Sequence, residues 1–130
     1  MVNSIYIGKV VFSELSKNQT LSELVGDRIF PLIAEQTTNY PFIVYYRDSI
    51  INKTYTKDGY CQDTVNFTVN CVATDYSEVL DIANEVRKTL EKQKIENENM
   101  TIYNCRVNTI DESFTDNAYV QTLSFNCTIE

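Results

Sequence analysis

Hydrophobic and polar positions change their period once between residues 63 and 94, and this change predicts a strand followed directly by a helix. Apolar residues alternate with polar ones over residues 65–73, as in a half-buried strand. Asp75 is the predicted N-cap of the helix, with Glu78 at the capping-box position. The helix is expected to end near Lys94, where basic side chains suit the helix dipole. Its predicted buried stripe consists of Tyr76, Val79, Leu80, Ala83, Val86 and Leu90.

The same periodicities predict elements on both sides of this pair. Residues 4–17 are predicted to form a helix with Ser4 as its N-cap. A helical turn capped by Thr20 is expected over residues 20–25. A short extended segment follows, and its Pro31 restricts it to a sheet edge or a bulge. Segments rich in β-branched and aromatic residues predict further strands at 42–51, 100–110 and 118–129.

Two polar segments separate the predicted strands. Residues 52–62 contain Asp58–Gly59, the clearest turn signal in the chain, and are expected to form a hairpin arm. Residues 111–117 are expected to form an acidic connector. The chain of 130 residues therefore predicts a single domain of the α+β class. We expect a largely antiparallel sheet of four or five strands, two helices packed on one face and the arm protruding.

Charge and hydropathy exclude several kinds of partner. The formal net charge is −7, with 11 basic and 18 acidic residues. This balance argues against nucleic-acid recognition, which needs clustered lysine and arginine, and against an anionic membrane surface. No apolar run approaches the roughly 20 residues of a membrane span. The first residues lack the basic start and apolar block of a secretory signal, so we expect a reducing compartment.

The four cysteines are expected to be free thiols that act as small hydrophobic residues. Cys71, Cys105 and Cys127 occupy apolar positions of predicted strands, and Cys61 precedes the central strand. The sequence contains no C-x-x-C motif and no histidine, so no metal site is predicted.

Candidate catalytic chemistry is sparse. Without histidine the commonest general base is absent, and the three isolated glycines form no phosphate-binding loop. Asp111, Glu112 and Asp116 could bind a cation or form a solvated acidic loop, and the second interpretation is favoured. We expect no enzyme and no cofactor. Two buried carboxylates close together would be needed to support a carboxylate-based enzyme.

Six of the nine tyrosines are more informative, because tyrosine suits both strands and protein interfaces. They are Tyr40, Tyr45, Tyr46, Tyr55, Tyr60 and Tyr103. For most of them the sequence leaves sheet packing and interface contact equally open. Tyr55 and Tyr60 flank the Asp58–Gly59 turn in an otherwise polar segment, and for this pair an interface is favoured.

The order of these features resembles a family of small tailed-phage proteins, the tail-completion or head–tail joining proteins, which include tail terminators. The resemblance covers nearly the whole chain. It includes the strand at 65–73, the helix after it and the acidic turn Asp111-Glu112-Ser113. Ahead of these, the matching residues are Gly26, Arg28, Ile29, Phe30, Pro31, Pro41 and the apolar run 42–45.

The resemblance implies a structural virion protein of a phage or prophage, without chemistry of its own. Such subunits form a ring, commonly six-fold, at the head-proximal end of the tail. There they meet the tail tube and the head connector. Assembly in the bacterial cytoplasm, on the tail as template, and a final location in the virion are implied as well. A ring needs a heterologous interface, in which two different patches of each subunit meet.

The arm and the acidic segment are the natural candidates for those patches. The residues expected at the subunit or partner interface are Tyr55, Lys57, Asp58, Tyr60, Asp111, Glu112, Phe114 and Asp116. The alternative function is a small non-catalytic regulatory domain that binds a ligand or a protein. That alternative requires a pocket where sheet and helices do not fully pack.

Overall fold

The described part of the chain folds into one six-stranded mixed sheet with helices on one face. A computed structural model describes the backbone of residues 4–55, 61–98 and 100–129. Its helices, after a 3-10 turn at Ser4–Tyr6, are α1 (Ile7–Lys17), α2 (Gln19–Val25) and α3 (Tyr76–Leu90). Its strands are β1 (Ile29–Pro31), β2 (Phe42–Tyr55), β3 (Cys61–Ala73), β4 (Lys92–Glu96), β5 (Thr101–Thr115) and β6 (Ala118–Ile129).

The strand order is β1-β2-β3-β6-β5-β4. Neighbouring strands are antiparallel except β1, which runs parallel to β2 at one edge. The α+β class is therefore confirmed, as is the edge position of Pro31. The described residues nevertheless contain six strands and three helices, against the four or five strands and two helices that the sequence predicted. The additional strand is β4. The extended segment predicted around Pro31 is β1, and the helical turn predicted at 20–25 is the short helix α2.

The hydrophobic core lies between the sheet and the buried faces of the helices. On β3 and β6 the inward residues include Phe67 and Phe125, whose rings stack with centroids 5.0 Å apart. The strand predicted over 118–129 coincides with β6, because its strict alternation fixes which face is buried. Leu21, Ile82 and Phe125 all have a relative exposure of 0%. The described helix–sheet interface is therefore closely packed.

Helix α3 begins as predicted but ends earlier. The Asp75 side chain accepts a hydrogen bond from the Glu78 amide at 3.2 Å, which confirms the N-cap. The helix ends at Leu90, so the expected extension to Lys94 is wrong. Residues 92–96 instead form β4, which pairs with the free edge of β5. Tertiary pairing has here overridden a polar sequence with good helix propensity.

The buried stripe of α3 also differs from the prediction. The buried residues are Val79, Ile82, Ala83, Val86 and Leu90. Tyr76 and Leu80, both expected in the stripe, are 43% and 40% exposed. Ile82 takes the place of Leu80 because it lies on the same side of the helix as Val79 and Val86.

Two predicted caps are wrong. Ser4 is buried, and its hydroxyl donates to an Asp63 carboxylate oxygen at 2.6 Å instead of capping α1. The N-cap of α2 is Asn18, not Thr20; its side-chain oxygen accepts from the Leu21 amide at 3.0 Å. The same Asn18 amide donates to Thr89 on α3 at 2.6 Å. This second contact shows why the cap position shifted, since Asn18 also joins two helices.

The expected acidic connector at 111–117 is mostly strand. Residues 111–115 complete β5, and their cross-strand partners on β6 include Gln121 opposite Glu112 and Tyr119 opposite Phe114. These residues are exposed and lie on the part of β5 that β4 does not cover, because β4 pairs with β5 no further than Cys105. Polar composition therefore indicated solvent exposure correctly, but it did not indicate the absence of a strand.

Candidate protein interface at the β5–β6 hairpin

The β5–β6 hairpin closes through a two-residue turn at Asp116–Asn117. Both residues have positive φ, 52° and 61°, while Thr115 pairs directly with Ala118. A two-residue turn with both central φ values positive matches the right-handed twist of the strands. Asp and Asn tolerate that left-handed conformation better than most residues. The structure therefore presents Asp111, Glu112, Phe114 and Asp116 on a defined hairpin rather than on an irregular loop.

An aromatic cluster joins this hairpin to the start of α3. The exposed Phe114 ring lies edge-on to Tyr119, with centroids 4.9 Å apart. The ring centroid of Tyr119 in turn lies 5.3 Å from that of Tyr76. Each aromatic pair contributes about 0.5–1.5 kcal/mol beyond the burial of its surface. Glu112 and Gln121 adjoin these three aromatic residues. We call the five residues the tip cluster: Tyr76, Glu112, Phe114, Tyr119 and Gln121.

Glu112 is held in place by two hydrogen bonds. Its Oε1 atom accepts from the Tyr76 hydroxyl and from Gln121 Nε2, each at 2.9 Å. The Gln121 bond first, and then the Tyr76 bond, lower the pKa of Glu112 below its ordinary value. The same carboxylate raises the pKa of Tyr76. Because Gln121 is buried and needs an acceptor, Glu112 is more than a solvated surface charge.

The cleft at the tip cluster suits a protein side chain better than a small molecule. Its volume is about 270 Å³, slightly below the range of about 300–1,000 Å³ that is typical of small-molecule sites. It is lined by Tyr76, Glu112, Ser113, Phe114, Tyr119 and Gln121. Amphipathic aromatic residues around a shallow cleft are characteristic of protein interfaces.

Removing the buried donor is expected to change how Glu112 titrates. In Gln121→Leu the pKa of Glu112 should rise toward its ordinary value, because the hydrogen bond that contributes most to its lowering is lost. A carboxyl with a lowered folded-state pKa stabilises the fold above its unfolded pKa, and this contribution is lost as pH falls through the folded pKa. The free energy of unfolding of the variant should therefore fall less than that of the wild type as the pH is lowered. NMR titration of the Glu112 carboxyl carbon measures the shift directly.

Ser113→Ala is the matched control, because Ser113 lies beside Glu112 on β5 and does not donate to that carboxylate. Its Glu112 titration should match that of the wild type. An unchanged Glu112 pKa in Gln121→Leu would show that the bond to Gln121 is not what lowers it.

The charge around the tip cluster is strongly negative. Residues 75–81 at the start of α3 and residues 109–117 of the hairpin contain six acidic residues and no lysine or arginine. The acidic residues are Asp75, Glu78, Asp81, Asp111, Glu112 and Asp116. The positive end of the α3 dipole offsets Asp75 and Glu78 in part. The hairpin carboxylates have no comparable compensation within the described part of the chain.

A second exposed apolar surface follows β1 and was not predicted. Leu32 and Ile33 are 74% and 80% exposed, and Leu32 has a positive φ of 66°. Its amide donates to the Tyr45 carbonyl at 2.8 Å, which holds this conformation. Exposure of two large apolar side chains on a constrained segment is typical of a contact surface. The apolar triplet Leu32-Ile33-Ala34 before a polar connector was the signal in the sequence.

The arm is described only at its base. Strands β2 and β3 remain paired as far as Tyr55 opposite Cys61. The backbone of Tyr55 is therefore in a hairpin, as predicted. Lys57, Asp58 and Tyr60 lie outside the described residues, and so does the side chain of Tyr55. Their assignment to an interface stays a prediction.

The other tyrosines divide between packing and exposure. Tyr45 is 8% exposed, and burial raises its pKa, so it belongs to the core. Tyr40 is 41% exposed, and its ring lies 5.4 Å from that of Phe42. Tyr46 and Tyr103 are half-buried on the sheet. The interface interpretation therefore fits Tyr40 better than Tyr45.

The described residues bring no catalytic or metal-binding group together. They contain no cluster of three or more carboxylate, cysteine or histidine side chains able to hold a metal ion. Cys71, Cys105 and Cys127 are buried thiols. Burial raises the pKa of Cys71, and a hydrogen bond with Cys127 followed by burial raises that of Cys105. Such thiols are poor nucleophiles. Within the described ranges, no helix has the length and apolar character to span a membrane.

Comparison with known proteins identifies the family. No significantly similar curated protein was found. Among solved structures, a chain from the virion of the native gene transfer agent (GTA) particle has 10% sequence identity and a TM-score of 0.72 over 92% of this chain and 91% of that one. A second solved chain has 12% identity and a TM-score of 0.59 over 92% and 94%. Both likenesses concern the fold alone. Residues 9–130 match the model of the tail completion protein gp17 family, so the chain belongs to this family of phage tail structural proteins.

Proposed function

We propose that this chain is the subunit of a ring that completes the head-proximal end of a phage tail. The observation that carries the proposal is the family match over residues 9–130, which spans nearly the whole chain. The fold shared with a chain of a gene transfer agent virion is consistent with a place in such a particle. In that position one side of the ring would contact the tail tube and the other the head connector.

The sheet edges and the exposed side chains are both available for assembly. At one edge β1 pairs only with residues 43–45 of β2, and at the other β4 pairs only with residues 101–105 of β5. Beyond these short strands, no described strand pairs with the outer edges of β2 and β5. An exposed strand edge of this kind can pair with another chain. Subunit contacts would then involve these edges, the tip cluster, the Leu32–Ile33 surface and the arm with Tyr55, Lys57, Asp58 and Tyr60.

The alternative of a small ligand-binding domain has less support. It requires a pocket between helices and sheet, yet the facing side chains Ile82, Val86 and Phe125 are each 0% exposed. The clefts at the tip cluster and along the β4–β5 edge lie at the surface instead. The proposed role as an assembly subunit, without catalysis, fits this distribution.

Sedimentation velocity over a range of protein concentrations, with negative-stain images of the concentrated sample, tests the ring. We expect a monomer that converts into a closed ring as concentration rises. A chain that remains monomeric, or forms only a two-fold dimer, at every concentration would contradict a self-assembling ring. In that case the ligand-binding alternative would become the better explanation.

A further inference from the structure

A cleft at the far end of the strands from the tip cluster has the opposite charge. It has a volume of about 470 Å³ and is lined almost entirely by polar side chains. Its two exposed cations are Lys92 on β4 and Arg106 on β5. Neither makes an ion pair with any described residue. The remaining lining residues are Thr64, Glu91, Gln93, Asn104, Cys105, Asn126 and Thr128.

The one carboxylate in this cleft is already neutralised. Glu91 accepts hydrogen bonds at 2.9 Å from the Val107 amide and from Arg87 Nε. The Val107 bond first, and then the bond from Arg87, lower the pKa of Glu91. Lys92 and Arg106 are therefore left without a compensating anion. Together with the amide and hydroxyl groups of the cleft, they can bind an acidic group of a partner. We call this region the cationic cleft.

The two charged regions of one molecule cannot neutralise each other. Asn126 lines the cationic cleft and lies eight positions after Ala118, which is beside the hairpin turn. It lies four positions after Thr122, the cross-strand partner of Asp111. At roughly 3.4 Å per residue these separations are about 27 Å and about 14 Å along the strand. Exposed charges are largely screened beyond about 8–10 Å at physiological ionic strength. Each region therefore remains free to attract a separate molecule.

We propose that the acidic hairpin tip of one subunit docks into the cationic cleft of the next copy of the chain. Asp111 and Asp116 would meet Lys92 and Arg106, and Phe114 would bury its exposed ring beside the cleft. This contact rests on the proposed ring and specifies how its subunits meet.

Opposite charges can face each other in two arrangements of the copies. In a head-to-tail contact one tip meets one cleft, and a rotation that closes gives a ring. In an antiparallel two-fold pair each tip would meet the cleft of the other copy. The contact proposed here is the head-to-tail one, and sedimentation velocity separates the two because the two-fold arrangement stops at a dimer. Electrostatic complementarity of this kind sets orientation and register more than it adds affinity.

Reciprocal charge reversal tests the contact. Asp111→Lys and Thr115→Lys with Asp116→Asn change the formal charge of residues 111–116 from −3 to +1. Asparagine keeps the left-handed turn conformation at position 116. Lys92→Glu with Arg106→Glu makes the cleft anionic. All five residues are exposed, so the folded structure should be retained, which circular dichroism checks. Sedimentation velocity should show that each variant alone self-associates at least about tenfold more weakly than the wild type.

Mixing the two variants is the decisive step. A cationic tip then meets an anionic cleft, and an unaltered tip meets an unaltered cleft, so assembly should return with the subunits alternating. Assembly of both single-patch variants at wild-type strength would overturn the proposed contact while leaving the ring intact. Loss of assembly in both variants without recovery in the mixture would overturn it as well. A wild-type chain that never self-associates would instead contradict a ring that forms without the tail.

Discussion

Phe125→Ala is expected to lower the free energy of unfolding by about 3–5 kcal/mol, the range for truncation of a fully buried aromatic residue. Phe125 is 0% exposed, and it stacks on Phe67 with an interplanar angle of 11°. Alanine would remove this contact and leave a cavity between β6 and the helices, because the neighbouring strands are held in register on both sides. Equilibrium urea unfolding followed by circular dichroism measures the change. Since domains of this size are stable by about 5–15 kcal/mol, a large part of the stability would be lost.

Phe114→Ala is the matched control, because it removes the same side chain from an exposed position. Phe114 is 58% exposed and contacts Tyr119 at the hairpin tip. Its replacement should cost less than about 1 kcal/mol. Equal losses in the two variants would show that Phe125 does not lie in the dominant core.

Asp63→Ala is expected to cost about 2–3 kcal/mol, because it removes the acceptor of two hydrogen bonds at a site that is only 9% exposed. The Asp63 carboxylate accepts from the Ser4 hydroxyl at 2.6 Å and from Asn52 Nδ2 at 3.0 Å. Without it the Ser4 hydroxyl, 2% exposed, is left without this acceptor. Urea unfolding measures the loss. Faster amide hydrogen exchange at the 3-10 turn, Ser4–Tyr6, should accompany it, because that turn is attached to β3 through Asp63.

Two further substitutions separate the hydrogen bonds from the charge. Asp63→Asn keeps one acceptor oxygen and should cost less than Asp63→Ala. Asp111→Ala removes an exposed carboxylate and should change stability by no more than about 0.5 kcal/mol. A loss in Asp63→Ala no greater than that in Asp111→Ala would contradict a structural role for the Ser4–Asp63–Asn52 network.

Several elements were predictable because a local pattern fixed them. Strand β6 buries every second residue from Gln121 to Ile129, so its alternation predicted its orientation in the sheet. The Asp75 cap of α3 was recognisable because an N-cap depends on the side chain and backbone within one turn. The end of α2 at Gly26 and the edge position of Pro31 were recognisable for the same reason, since glycine and proline act on their own backbone.

The hairpin tip was predicted in its residues but not in its form. Asp111, Glu112, Phe114 and Asp116 were chosen as exposed contact residues, and they are exposed. The strand conformation of Asp111, Glu112 and Phe114 depends on β6, which pairs with each of them, and Asp116 lies in the turn. Tyr76 was expected in the buried stripe of α3, and nothing in the local sequence of Tyr76 or Tyr119 indicates that they meet Phe114. That meeting requires the start of α3 and the end of β5 to lie side by side.

Strand β4 shows most clearly where sequence patterns are insufficient. Residues 92–96 contain one apolar residue, Ile95, and no period that distinguishes a strand from the end of a helix. They form a strand because the edge of β5 offers unpaired backbone groups at the place where α3 ends. That pairing brings Lys92 close to Arg106, and so it creates the cationic cleft from residues 14 positions apart.

The sequence by itself determined the α+β class, the central strand–helix unit, the long antiparallel strands, the negative charge and the resemblance to tail-completion proteins. These depend on periodicity, caps and composition, each of which acts over a few residues or over the chain as a whole. The tertiary structure alone decided the edge strand β4, the stripe that α3 buries, the partners of Ser4 and Asn18, and the separation of the acidic tip from the cationic cleft. Those features depend on contacts between segments distant in sequence, and these contacts stabilise the chain only once the sheet has formed.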